Sequence, residues 1–294
     1  MKIAVFPDTC AIAGKPVMKA FVKSLQNENY KIYSNKDRPE ADVVVMWSVL
    51  LNLYGREPIY TYYKNKPNTK LVILEVGGLM RNHSWRIGIN GINAKADFAN
   101  QVHDDKRLDR LGLKLKPWKK GEHIIVTTQN SYSAAWPKIK PEDWCRQILA
   151  WLRVLTERKI YLRPHPRHSV NLSKVAKEFK NVFVSVPKNT GNKDEVDFKA
   201  LLADAHAVVN YNSNPAIESV MDGVPVFVDK SSLCYEVGNE IWAKNVENPL
   251  TPDRQEWLQK ISYCEWFIDE IEKGDPWKRL KQSLISGQQE FTSV

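Results

Sequence analysis

Two stretches in the second half of the chain carry residue types suited to holding phosphate and sugar. The first is Tyr161-Leu162-Arg163-Pro164-His165-Pro166-Arg167-His168. Its two prolines keep the backbone extended or turned directly after a strand. Two arginines and two histidines on such a rigid loop can clamp phosphate oxygens. A plain basic surface loop would leave the same histidines titrating in solvent, and the Pro-His-Pro rigidity favours the binding role. The second stretch is Val208-Val209-Asn210-Tyr211-Asn212-Ser213-Asn214-Pro215-Ala216-Ile217-Glu218. Here a strand runs into small polar residues, Pro215 suits the first helical position, and Asn214 suits the N-cap. Free backbone N–H groups at such a helix start form an anion site. Glu218, one turn further on, could receive a pair of ribose hydroxyls. By itself this is also the pattern of a capped helix with a solvated glutamate.

The elements that must position these residues follow from apolar patterning. Lys2–Phe6 reads as a buried first strand, Lys15–Asn27 as a helix, and Val43–Trp47 and Leu71–Glu75 as two more buried strands. Continuous β-branched runs separated by helices indicate a parallel sheet covered on both faces. The basic segment Gly112–Gly121, with a proline and two glycines, reads as a linker. The pattern then restarts. Strands are expected at Ile124–Thr127, Lys159–Arg163, Val182–Val186, Ala207–Asn210 and Pro225–Val228. Helices are expected at Pro141–Thr156, from Pro215, and from Asp253 onward. The expected fold is α/β: two Rossmann-like parallel-sheet domains, residues 1–115 and 122–294, facing a central cleft. The C-terminal helix is free to return to the first domain. Ligands would bind at the strand C-termini.

Several chemistries lack their signatures. No GxGxxG follows the first strand and no GxxxxGK[ST] occurs, so dinucleotide oxidoreductases and P-loop NTPases lose their main support. No GxSxG, HExxH or kinase set is present.

The ordered set Arg163–Pro166, Asn212–Glu218 and Gly223-Val224-Pro225-Val226 resembles the nucleotide-sugar-binding half of GT-B glycosyltransferases. The likeness is to the capsule polysaccharide biosynthesis group, which includes Kdo transferases, and it covers about residues 122–245. Thr127-Thr128-Gln129-Asn130 looks like the family's glutamine at the end of the first strand of this domain, and Ser231–Tyr235 like a following loop. The resemblance implies a metal-independent, inverting transferase with no bound cofactor. Its donor would be a nucleotide-sugar, UDP-linked before CMP-linked. Gln129, Arg163, His165, Arg167, Asn212, Ser213, Asn214 and Glu218 would bind it. The family's acidic pair, glycine and arginine correspond here to Leu74-Glu75-Val76-Gly77-Gly78-Leu79-Met80-Arg81, where Val76 replaces the second acid. The base that deprotonates the acceptor is therefore open among Glu75 first, Asp8 second and Asp97 third.

The acceptor is read from charge. The chain has 294 residues, net charge +9 and ten tryptophans. A strongly basic chain suggests a polyanionic partner. A basic GT-B enzyme also resembles bacteriophage enzymes that glycosylate hydroxymethylated pyrimidines in DNA, which favours a DNA acceptor over capsule or surface polysaccharide. Arg81, Trp85 and Arg86 would contact that acceptor, and Lys114, Lys116, Lys119 and Lys120 would give the linker a basic face, unless both are solvated surface. A non-catalytic nucleic-acid-binding protein on the same fold and a two-domain sugar epimerase remain as other readings. Four dispersed cysteines suggest reduced thiols. The absence of any long apolar run predicts a soluble protein of the cytoplasm, the host's if the source is viral.

Overall fold

The computed structural model describes residues 1–101, 103–167, 170–188 and 197–289. The chain forms two compact units, Met1–Leu113 with Leu258–Val294, and Lys114–Trp257. The first opens with β1 (Ile3–Val5), α1 (Lys15–Ser24), β2 (Tyr30–Ile32), β3 (Val43–Trp47), α2 (Arg56–Lys64), β4 (Lys70–Val76), β5 (Trp85–Ile89) and α3 (Lys106–Leu111). Strands β2, β1, β3 and β4 lie parallel in that order. The all-apolar run Val43–Trp47 is buried along its whole length, as a strand covered on both faces must be. Strand β5 was not expected, and it pairs antiparallel with β4.

The second unit contains β6 (His123–Thr127), α4 (Pro141–Leu155), β7 (Ile160–Arg163), α5 (Ser173–Lys177), β8 (Val182–Val184), α6 (Phe198–Leu202), β9 (Ala205–Asn210), α7 (Pro215–Met221), β10 (Val226–Val228) and β11 (Asn239–Glu240). Its six strands are all parallel, in the order β8-β7-β6-β9-β10-β11. Counting β6 as the first strand, this is the doubly wound order 3-2-1-4-5-6.

After it come α8 (Gln255–Ser262), β12 (Glu265–Trp266), α9 (Ile268–Lys273) and α10 (Asp275–Gln289). These correct the expected boundary at 122–294, because the chain from Leu258 belongs to the first unit. Strand β12 adds to β5, and Tyr263, Trp266, Ile271, Trp277 and Leu280 share one core with Phe21 and Trp47. Apolar periodicity shows that a helix has a face to bury. It does not say which core that face will meet.

The linker is built into the second unit. Lys116 and Lys119 donate backbone N–H groups to Met221 O (3.0 Å) and Gly223 O (2.8 Å). Both ammonium groups pair with Asp222. Burial opposes ionisation of Asp222, but the two lysines outweigh it and hold the carboxyl below its usual range. The Arg254 guanidinium stacks 3.7 Å from the Trp118 ring centroid and donates to Lys116 O. The expected basic face is thus partly neutralised from within.

Gly223 ends α7 with φ +81°, and a Cβ placed there would lie 2.0 Å from Pro117 O. Gly223→Ala should therefore destabilise the second unit by at least roughly 1–3 kcal/mol, the cost of a left-handed non-glycine residue before any clash. Urea unfolding followed by tryptophan fluorescence measures it, and an unchanged midpoint would refute this account of the linker.

Candidate functional site

In the second unit the connections from β6 leave in opposite directions on its β7 and β9 sides, so the C-terminal edge between β6 and β9 is a topological switch point. Thr127 and Asn210 end these strands directly opposite each other. The Asn210 amide donates to Thr127 Oγ1 (2.7 Å) and Ser213 Oγ (2.8 Å), and its carbonyl accepts from Ser213 N (2.8 Å). This buried asparagine locks the turn that carries Asn212 and Ser213. Two residues beyond the strand ends lie Gln129 and Asn212, 5% and 7% exposed. Asn212 donates to Ala135 O and Ser231 Oγ, which fixes which end of its amide is the carbonyl. Both side-chain carbonyl oxygens, Gln129 Oε1 and Asn212 Oδ1, are buried without a hydrogen-bond partner among the described residues. Buried acceptors left unpaired are costly, and at a switch point they invite a ligand that brings N–H or O–H donors.

The Arg-Pro-His-Pro loop departs from its expected use. Arg163 is 4% exposed, and its guanidinium pairs with Asp197 and donates to Ser185 Oγ (3.1 Å). Burial works against ionised Asp197, yet the bonds from Arg163 and from the Lys188 N–H hold its carboxyl below the ordinary range. As the structure stands, Arg163 anchors the segment entering α6 and is not an exposed phosphate clamp. A strand-end arginine with a carboxylate many residues away gives no local sequence sign of that pairing. His165 N donates to Thr128 Oγ1 (3.2 Å), and His165 Nδ1 accepts from Arg167 N (3.1 Å). The latter bond puts the neutral ring's proton on Nε2. Arg167 is exposed, while His168 lies outside the described residues. Asn214 occupies the N-cap position but makes no side-chain cap bond. Ala216 N is bonded to Ser213 O and Glu218 N to Asn214 O, and Pro215 has no N–H, so α7 offers less of an anion site than its sequence suggested. Glu218 is half-buried in its first turn.

In the first unit, Glu75 lies near the C-terminal end of β4 and is half-buried. Its Oε2 accepts from Ser48 Oγ at 2.6 Å, and its Oε1 from Val76 N at 2.9 Å. Arg56, which the sequence reading passed over, is buried beside this group and donates to Thr9 O (2.8 Å) and Leu50 O (2.9 Å). Desolvation lowers its pKa, and the nearby negative charge of Glu75 works the other way. Burial pushes the neighbouring Cys10 thiol up to about 12, so it stays protonated and inert. None of the four cysteines is in a disulfide, and all four are buried. Asp8 is exposed in the turn after β1. Asp97 is bonded to Ser283 and to Ala99 N, and it bridges Ile89, at the end of β5 remote from Glu75. It is corrected from candidate base to structural carboxylate.

The expected acceptor group also divides. Arg81 is exposed. Trp85, expected at the acceptor, is half-buried and packs against the core. Arg86 is a buried cation, 3% exposed, paired with Glu265 at 2.7 Å. Glu265, itself 0% exposed, also accepts from Gly78 N (2.7 Å), Leu79 N (3.0 Å) and Ser84 Oγ (2.7 Å). A Cβ on Gly77 would fall 2.3 Å from Glu265 Oε2, which explains the glycine there. No sequence signal could have paired positions 86 and 265.

Among the described residues no group of three or more His, Cys, Asp or Glu could hold a metal ion, and no helix is long and apolar enough to cross a membrane. No protein-family model matches the chain, and no curated protein sequence matches it. Solved structures do. The KpsC β-Kdo 2,7 transferase of Thermosulfurimonas dismutans is similar at TM-score 0.54 and 14% identity, over 96% of this chain and 100% of that one. The β-Kdo 2,4 transferase of the same organism's KpsC is similar at 0.53 and 14%, over 90% of each. A UDP-GlcNAc 2-epimerase from Methanocaldococcus jannaschii follows at 0.34 and 13%, too loose to argue from. At these identities the likeness is one of fold, and it places the two Rossmann-like units in the GT-B class.

Glu265→Ala should cost about 3–5 kcal/mol, because Arg86 would be left charged and buried without its partner. Equilibrium denaturation reads this directly. A loss under about 1 kcal/mol would mean that water reaches Arg86 and the pair is dispensable.

Proposed function

We propose that the chain is a glycosyltransferase that takes its sugar from a nucleotide-sugar and acts in the synthesis of a surface polysaccharide. The observation that carries this reading is the pair of buried, unpartnered acceptors, Gln129 Oε1 and Asn212 Oδ1, at the switch point of a GT-B-type second unit. A nucleotide-sugar supplies N–H and O–H donors for both. His165, with a proton on Nε2, and exposed Arg167 stand on the adjoining strand end and would meet the diphosphate or monophosphate, while Ser213, Asn214 and Glu218 follow the neighbouring strand. Glu75 is the preferred base, since it is half-buried at the end of β4 with its carboxylate oriented by two hydrogen bonds. It would take the acceptor's hydroxyl proton as that oxygen attacks the anomeric carbon and the nucleotide leaves. Asp8 is the second choice.

The polysaccharide reading is preferred over a DNA acceptor for two reasons. The fold likeness is to two structures described as β-Kdo transferases. Several cations that suggested DNA are also engaged internally: Arg86 with Glu265, and Lys116 and Lys119 with Asp222. The proposed setting is the cytoplasm, where nucleotide-sugars are available.

The test is nucleotide release from a panel of UDP-sugars and CMP-Kdo, with Kdo-terminated glycolipid or hydroxymethylated DNA as acceptor. Glycolipid-stimulated release is expected. Glu75→Gln should lower kcat by about 100- to 10,000-fold with little change in donor affinity. Asn212→Ala should instead weaken donor binding by roughly tenfold. Release stimulated by DNA alone, or no release from any donor, would overturn the reading.

A further inference from the structure

We propose that Ser48 is a positioning residue that holds the Glu75 carboxylate for proton abstraction, an inference that rests on Glu75 being the base. Ser48 follows β3 with φ +67°, a left-handed conformation that costs a non-glycine residue free energy. Glycine would take this conformation without strain, so the side chain is what needs explaining. Ser48 is 3% exposed, and its backbone N donates to Leu74 O at 2.7 Å, fixing it beside β4. Its hydroxyl accepts from Leu50 N at 3.0 Å. The single hydroxyl proton is then directed at Glu75 Oε2, 2.6 Å away.

The loop carrying this contact is braced from behind. Arg56 reaches from the first turn of α2 to Leu50 O on one side and Thr9 O on the other, and Thr9 Oγ1 accepts from Trp47 N at 2.9 Å. Tyr54 and Gly55, also left-handed, turn the chain so that Arg56 can enter α2 while pointing inward. A buried cation therefore sets the loop, the loop sets Ser48, and Ser48 with Val76 N sets both oxygens of Glu75. A carboxylate so held has little freedom to turn away from the hydroxyl it must deprotonate.

The experiment compares the whole chain with its Ser48→Gly and Glu75→Gln variants. It follows nucleotide release from CMP-Kdo and UDP-glucose in the presence of the Kdo-terminated glycolipid acceptor, thermal unfolding, and crystal structures. Ser48→Gly removes the hydroxyl and the backbone strain together. It should lower kcat about 10- to 100-fold, as a misplaced catalytic group does, leave donor KM within about twofold, and not lower the melting temperature. Its crystal structure should show the Glu75 carboxylate turned from its present position. Wild-type kcat in Ser48→Gly, or an unmoved carboxylate, overturns the proposal. A purely structural role would instead lower the melting temperature. If Glu75→Gln turns over like the wild type, or if neither donor is used, the base assignment is what fails. The crystallographic comparison then decides the positioning claim alone.

Discussion

The first unit depends on one buried carboxylate. Glu265 joins the edge strand β12 to the loop after β4 by accepting from Arg86, Ser84 and the backbone of Gly78 and Leu79. An isolated charge in such a place would be prohibitive, and it is tolerated only because four donors, one of them the opposite charge of Arg86, converge on it. Across the sheet, Glu75 on β4, Arg86 on β5 and Glu265 on β12 stand in register. Opposite residues of antiparallel strands share a face, so this row ties the candidate base to the C-terminal segment. The same segment supplies Glu270 to Arg107 and the ring of Trp266 beneath that arginine at 4.2 Å. The turn that follows Glu75 is thus shaped from nearly two hundred residues away in sequence.

The second unit is organised more locally. Asn210, Thr127 and Ser213 close a small buried network at the switch point, and the unpaired carbonyl oxygens of Gln129 and Asn212 lie two residues beyond it. Arg163 stands one strand away but faces Asp197, which separates a structural cation from the binding edge. Net positive charge is a poor guide to partners here. Charge acts at long range only where it is exposed and unpaired, and much of it is spent on internal pairs and on capping carbonyls.

Much of this was legible in the sequence because it rests on local rules. Continuous β-branched runs must become buried strands, and Val43–Trp47 and Ile124–Thr127 did. Pro215 at a helix start and Gly223 at its end mark α7 almost to the residue. The edge strands β2, β11 and β12, and β5 beside β12, were missed, since two to five residues of mixed polarity carry little period. The helical character of the tail was readable, but its attachment to the first unit was only one of the options left open, because an apolar face can satisfy itself against any core.

The sequence by itself determined the two successive α/β units, the polar turn at Asn212–Asn214, and Glu75 as a carboxylate at a strand end. Tertiary structure alone decided which charges are available for chemistry. It buried Arg86 and Arg163 against Glu265 and Asp197, made Asp97 a structural bond, and brought Ser48 and Arg56 to Glu75. The physical reason is that a charged residue's role is set by desolvation and by its partner. Both depend on residues far along the chain, whereas strand and helix formation depend on neighbours.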